Sequence, residues 1–193
     1  MGLPALVGDQ LLPGRYLTTE ADLHAAFVDA PAFRGSKTRA RIWRDWEAAR
    51  ALLTGSVLVH SAWISGSFLT TKVDPGDIDV TFVVSGEDRA TRPVGDQQVI
   101  ESFIQRVRSP LGAGAGVVPA HGLKVDSYII DWSPHQPTGT GKLTPSHQRY
   151  AVERGYWDDW WSRKRLSPKG SVPVRGDAIP QRGYVEVIFN AYV

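Results

Sequence analysis

Asp77 and Asp79 stand two residues apart in the run Pro75-Gly76-Asp77-Ile78-Asp79-Val80, and this is the spacing in the chain best suited to chemistry. On an extended strand, residues i and i+2 point the same way, so both carboxylates share one face, about 6.5–7 Å apart along the chain. Ile78 and Val80 then enter the opposite face and anchor the strand in a core. Carboxylates held so close repel each other unless a cation lies between them. Hard oxygen donors suit magnesium, which keeps several waters and also takes substrate phosphate oxygens. A pair of such ions about 3.5–4 Å apart can stabilise the attacking and leaving oxygens of a phosphoryl transfer. An Asp-x-Asp alone equally describes solvated carboxylates on an edge strand, so the upstream residues carry weight. Nine residues separate Ser67 from Asp77. In Gly66-Ser67 the glycine lets the backbone come close to a phosphate, and the hydroxyl and nearby amides can donate to its oxygens. Lys72 adds a point charge nearby.

The flanking pattern supplies elements to position these groups. Thr19-Glu20-Ala21-Asp22 reads as a capped helix start, running to about Asp29 before Pro31. A second helix spans Thr38 to about Leu53, with Ile42, Trp46, Ala49 and Leu53 on its apolar stripe. Arg39, Arg41, Arg44 and Asp45 fall on its other faces, and Gly55 is expected to stop it. Val57–Ile64 and Asp77–Val84 read as strands. Gly95 to about Arg108 reads as a helix, followed by a Gly- and Ala-rich loop over Leu111–Gly122 and a strand from Leu123 to about Ile130. Ser146 is the expected N-cap of a helix reaching Trp161, and Tyr184–Phe189 is a last, doubly buried strand. Leu12-Pro13-Gly14 reads as a turn closing an extended arm. The expected fold class is α/β, a mixed sheet with helices packed on it in a single domain.

Gly-Ser, nine residues, then Asp-Ile-Asp-Val resembles the signature of the polymerase-β-type nucleotidyltransferase superfamily. The fuller string, Gly66-Ser67-Phe68-Leu69-Thr70-Thr71-Lys72 with Pro75-Gly76-Asp77-Ile78-Asp79-Val80, is similar to small stand-alone members of bacteria and phages. Weaker similarity extends to Leu12-Pro13-Gly14 and Lys169-Gly170. The resemblance implies the nucleotidyltransferase fold and a magnesium cofactor, with manganese as a substitute. It also implies a nucleoside triphosphate substrate such as ATP and a third carboxylate on an adjacent strand. Asp126, in Lys124-Val125-Asp126-Ser127-Tyr128, is preferred for that role over Asp131, which lies on the other face of the same strand. Ser127 departs from the apolar residue common there. Asp77, Asp79 and Asp126 are thus the catalytic and metal-binding candidates, and Gly66, Ser67, Thr70, Lys72 and Lys169 the nucleotide-binding ones.

The acceptor is left open among an RNA 3′ end, a protein side chain and a small molecule. Nine Lys/Arg against four Asp/Glu between Lys142 and Arg182 tilt the reading toward RNA, particularly tRNA, as in toxin-type members of the superfamily. The alternative is a catalytically silent nucleotide- or RNA-binding module of a defence or toxin–antitoxin system. Tyr150, Trp157 and Trp161 share one side of the last helix and read as core, leaving Tyr156 or Trp160 free to stack on a base. Gly139-Thr140-Gly141-Lys142 fails as a P-loop, because Gln136 and Leu143 stand where glycine and Ser/Thr are needed. Gly112–Gly116 lacks dinucleotide-fingerprint spacing. His24, His60, His121, His135 and His147 show no metal-ligand spacing, and no Gly-x-Ser-x-Gly elbow exists. Zero cysteines exclude disulfides and thiolate chemistry, and the net charge of +2 is too small for a general polyanion binder. No apolar run is long enough to span a bilayer and no basic n-region opens the chain, so a cytoplasmic protein without membrane contact is expected.

Overall fold

The computed structural model describes residues 3–108, 117–134, 143–168 and 171–190. Its first strand, β1 (Gly14–Thr18), lies where only an arm and a turn were expected. It pairs in parallel with the last strand, Gly14 opposite Gly183 and Thr18 opposite Val187. Thr19 caps α1 (Glu20–His24) as read, accepting from the Asp22 amide at 3.0 Å, and a π-helical turn carries the chain on to Asp29. Helix α2 (Arg39–Ser56) passes through Gly55 and ends one residue later, with the Val57 amide bonded to the Leu53 carbonyl. A single glycine is tolerated in a helix whose other turns are held by packing.

Strand β2 (Val59–Ser65) leads to a short 3-10 turn, and β3 (Ile78–Ser85) starts one residue after Asp77. Ser85 caps α3 (Gly86–Thr91), a helix the periodicity did not reveal. Helix α4 (Val94–Ile104) is shorter than expected. Arg106–Arg108 is instead β4, paired antiparallel with β5 (Val117–Pro119) in a segment read as loop. Val107 had extended the apolar stripe on paper, yet it is exposed. Strand β6 (Val125–Trp132) precedes α5 (Pro145–Ser162), whose N-cap is Thr144 rather than Ser146. The Thr144 hydroxyl accepts from His147 N, and Pro145 occupies the first helical position, which needs no N–H. Strand β7 (Gly183–Ile188) closes the chain of elements.

The five-stranded sheet runs β1-β7-β2-β3-β6, antiparallel where β2 meets β3 and β7, parallel at β1–β7 and β3–β6. This is a mixed α/β protein. Side-chain alternation sorts β3 and β6 cleanly between two layers. Ile78, Val80, Phe82 and Val84 join Trp46, Ala49, Leu53 and Phe103 in the main core beneath α2 and α4. Val83 and Ile130 join Trp63, Tyr184 and Trp161 under α5. The Trp161 indole donates to Thr81 Oγ1 at 2.9 Å, which fixes α5 over the sheet. Among the described residues, no helix is long and apolar enough to cross a membrane.

Arg39 overturns its expected outward placement, being 1% exposed. Its guanidinium donates to the carbonyls of Phe27 (2.9 Å), Phe68 (2.8 Å), Thr70 (2.9 Å) and Lys72 (2.6 Å), and lies 3.7 Å from the centre of the Phe33 ring. Truncation to alanine strands several carbonyls without donors, at about 1–3 kcal/mol each. Arg39→Ala should therefore lose at least about 3 kcal/mol in urea unfolding. A loss below about 1 kcal/mol would mean these bonds are replaced by water at no cost.

Candidate active site

The site begins where β2 ends. Ser65 is the last strand residue, and Gly66 turns with φ 80° and ψ −163°, in the half of backbone space where side chains are strained. Space demands glycine as well, because a Cβ there would overlap the Asp79 Oδ2 atom. Ser67–Leu69 then forms the 3-10 turn, anchored by the buried Phe68 and Leu69. Thr70 Oγ1 donates to the Ser67 carbonyl at 2.8 Å, while Lys72 N donates back to Thr70 Oγ1 at 3.2 Å. Arg39 grips the same loop by its carbonyls. Farther on, Asp74 Oδ1 accepts from Ser36 Oγ and the Lys37 amide, tying the loop to the start of α2 and holding the Asp74 carboxyl below its usual range. The loop is therefore rigidly staged before it delivers Asp77.

Asp79 and Asp126 are direct neighbours in the parallel β3–β6 register. Both point to the α5 side, by the alternation that sends Ile78, Val80 and Val125 into the main core. Asp131 takes the opposite face of β6 and pairs with Arg89 at 2.8 Å. The geometry thus brings Asp126, not Asp131, beside Asp79. Asp77 is exposed at the strand entrance. Burial raises the Asp79 carboxyl to about 7, with repulsion from Asp77 and then Asp126 adding to it and Arg182 opposing it. Burial and Asp77 also raise Asp126, against the pull of Arg106 and Tyr128.

Two arginines that the sequence did not single out serve these carboxylates. Arg106 Nη2 lies 3.0 Å from Asp126 Oδ1 and donates to the Ser127 carbonyl at 2.8 Å, with its guanidinium 4.4 Å from the Tyr128 ring centre. Arg182, just before β7, donates from Nε to the Trp161 carbonyl at 3.1 Å. Nothing local marks either one. Arg106 lay inside an expected helix, and Arg182 at the edge of a basic run.

Gly66, Ser67 and Asp79 open onto a cavity of about 730 Å³, whose other walls include Trp160, Arg165, Pro173 and Arg182. Asp77, Asp126, Thr70 and Lys72 lie outside its lining, and Lys169 lies outside the described residues. Among the described residues, no three acidic or imidazole side chains converge into a closed cation cage. The donor set still fits magnesium in its usual protein mode, one or two carboxylates completed by water and phosphate oxygens. Burial is the larger cause of the raised Asp79, and the repulsion from Asp77 and Asp126 that adds to it is what a cation would relieve.

The remaining candidates resolve into structure. His121 bonds to Ser127 Oγ and accepts from the Leu123 amide, and burial, helped by Arg106, lowers it to about 4. His60 packs edge-on against Trp132. Of the basic segment, Arg163 pairs with Asp159 and Lys164 with Asp9, so part of its charge is neutralised within the chain. His135 and Lys142 fall outside the described residues.

A family profile matches residues 7–187. The chain belongs to DUF6932, a family of unknown function. No curated protein and no solved structure matches it. Membership of DUF6932 brings no assigned activity, so a functional reading rests on the site's own residues.

The raised Asp79 carboxyl has a consequence for stability. Below the unfolded carboxyl range near pH 4 the group is neutral in both states and costs nothing. Between pH 4 and about 7 the unfolded chain ionises while the folded one resists, so stability falls as pH rises. Asp79→Asn removes this loss. Without divalent cations, the variant's melting temperature relative to wild type should be higher at pH 8 than at pH 4. Equal differences at the two pH values would contradict the assignment.

Proposed function

We propose that this protein is a magnesium-dependent nucleotidyltransferase with the polymerase-β-type fold, moving a nucleoside monophosphate from a triphosphate onto an acceptor hydroxyl. The observation that carries the reading is the placement of Asp79 beside Asp126 in the parallel register, with Gly66 packed against the Asp79 carboxylate. Sequence proximity explains Asp77 and Asp79 but not Asp126, which arrives from a separate strand.

Gly66 and Ser67 present a glycine-opened backbone and a hydroxyl to the triphosphate, and Arg182 adds a cation on the same cavity. Asp77 and Asp79 would hold magnesium, which when bound neutralises phosphate charge and polarises the α-phosphorus. Asp126, raised by burial, is suited to take the proton from the acceptor hydroxyl. The acceptor oxygen bonds to the α-phosphorus as the bond to the bridging oxygen breaks, and pyrophosphate departs with that electron pair. Positioning and charge complementarity supply most of the acceleration.

The Arg106–Asp126 ion pair favours a second reading, in which the site binds nucleotide without transferring it. One assay separates the two. The protein is incubated with each labelled nucleoside triphosphate and magnesium, together with total RNA and total protein. Label should pass to one of the two pools, and Asp77→Asn or Asp79→Asn should each cut transfer by at least about 100-fold with the fold retained. Wild-type rates in either variant would remove that residue from the site. Tight nucleotide binding without any transfer selects the silent module.

A further inference from the structure

The cavity that Gly66 and Ser67 line has a division of labour among its other walls. Trp160 and Trp161 of α5 both line the cavity, but Trp160 is 47% exposed whereas Trp161 is buried in the core. One face of the Trp160 indole is backed by Tyr156, with the rings 14° from parallel and 6.0 Å apart between centres. The wall beside it is built by the segment after α5. Asp177 organises that wall, accepting from Leu166 N (2.6 Å), Ser167 N (3.1 Å), Ser167 Oγ (2.6 Å) and Val174 N (2.9 Å). Arg165 gives Nε to Ser167 Oγ and Nη2 to the Ser171 carbonyl, and Arg163 pairs with Asp159. Among the described residues of this wall, Asp177, Arg165 and Arg163 all make contacts within the chain, and Arg163 Nε is left without a partner. Pro173 adds an apolar surface with no donor. Arg182, on the same cavity, donates from Nε to the Trp161 carbonyl and makes no ion pair among the described residues.

We infer that this cavity takes the base of a nucleotide by stacking on Trp160 without reading its hydrogen-bonding edge, so that the site accepts all four nucleoside triphosphates. The inference rests on the transferase reading for the position of the phosphates, which lie toward Ser67 and Arg182. Every base offers a π-face, and stacking on an aromatic side chain is tolerant of base identity. Discrimination needs donors and acceptors aimed at the base edge, and among the described side chains of this wall the Asp177 carboxylate and most of the guanidinium contacts are turned to the chain itself. Purines, with the larger face, bind modestly tighter than pyrimidines.

The test is calorimetric binding of ATP, GTP, CTP, UTP and tripolyphosphate, each with magnesium, to the intact protein and to Trp160→Ala and Trp160→Phe. The four wild-type affinities are expected within about tenfold of one another. Trp160→Ala should weaken all four by about tenfold or more, Trp160→Phe should restore most of the loss, and tripolyphosphate should be indifferent to both. A preference above about 100-fold for one base overturns the inference, because binding then depends on edge readout. Unchanged nucleotide affinity in Trp160→Ala overturns it too, while Asp79-dependent label transfer, measured separately, leaves the transferase reading standing. A protein that binds neither nucleotide nor tripolyphosphate overturns both.

Discussion

A buried guanidinium with four backbone acceptors sets the terms for the whole edge that carries the candidate site. Arg39 reaches from α2 to the carbonyls of Phe68, Thr70 and Lys72, three residues of the loop joining Gly66-Ser67 to Asp77, and to Phe27 from the N-terminal helical turn. A connection of this length between antiparallel strands has many conformations, and its own hydrogen bonds are few. Arginine is suited to fixing it because its planar fork carries five donors in a set geometry, which a lysine cannot reproduce. The environment opposes the charge, and burial lowers the group to about 10, with Asp74 pulling the other way. It remains cationic at neutral pH because its acceptors and the Phe33 face stand in for water.

From that loop, the position of Asp79 follows, and so does its electrostatic strain. Gly66 leaves room for the carboxylate by having no side chain, so the backbone of one strand end sits against the acid of the next. Asp79 is then desolvated and faces Asp77 and Asp126, with Arg182 its one opposing charge of note. Asp126 has a nearer partner in Arg106. The two acids are therefore unequal despite sharing a register. One is left under repulsion that a cation can relieve, and the other is partly satisfied by a fixed arginine. Such asymmetry suits a site in which one carboxylate holds charge and another handles a proton.

Local patterning carried much of this into the sequence. Asp-Ile-Asp-Val alternates as a half-buried strand must, and the α2 stripe of Ile42, Trp46, Ala49 and Leu53 is buried as its spacing requires. Alternation also separates Asp126 from Asp131, since residues five apart on a strand cannot share a face. What escaped is long-range. Strand β1 exists because it finds β7 at the other end of the chain, and Gly-Arg-Tyr-Leu-Thr has no alternation to announce that pairing. Arg39 looked solvent-bound because charge on a helix usually is. The acceptors that bury it belong to a turn about thirty residues away, which helical periodicity cannot register. Arg106 was hidden by an apolar stripe that continued past the helix end, where Gln105 adopts an extended ψ of 137° and redirects the chain.

The basic C-terminal segment changes meaning once its partners are visible. Counted along the sequence, it offers a positive surface for a polyanion. In the fold, Asp159 takes Arg163, Asp9 takes Lys164, and Asp177 draws the backbone of Leu166, Ser167 and Val174 into a compact wall. A cation already paired with a carboxylate contributes little to phosphate attraction, because binding must first break the pair. Part of the segment thus encloses the cavity, with Arg163 and Lys164 engaged in contacts within the chain. Helix α5 does both jobs at its C-terminal end, fixing itself to the sheet through Trp161 and Thr81 while turning Trp160 outward to the cavity. Adjacent residues on a helix point about 100° apart, so one buried anchor necessarily presents its neighbour along the rim. Gly66 and Asp79 thus share their cavity with a wall that the end of α5 and the segment after it supply.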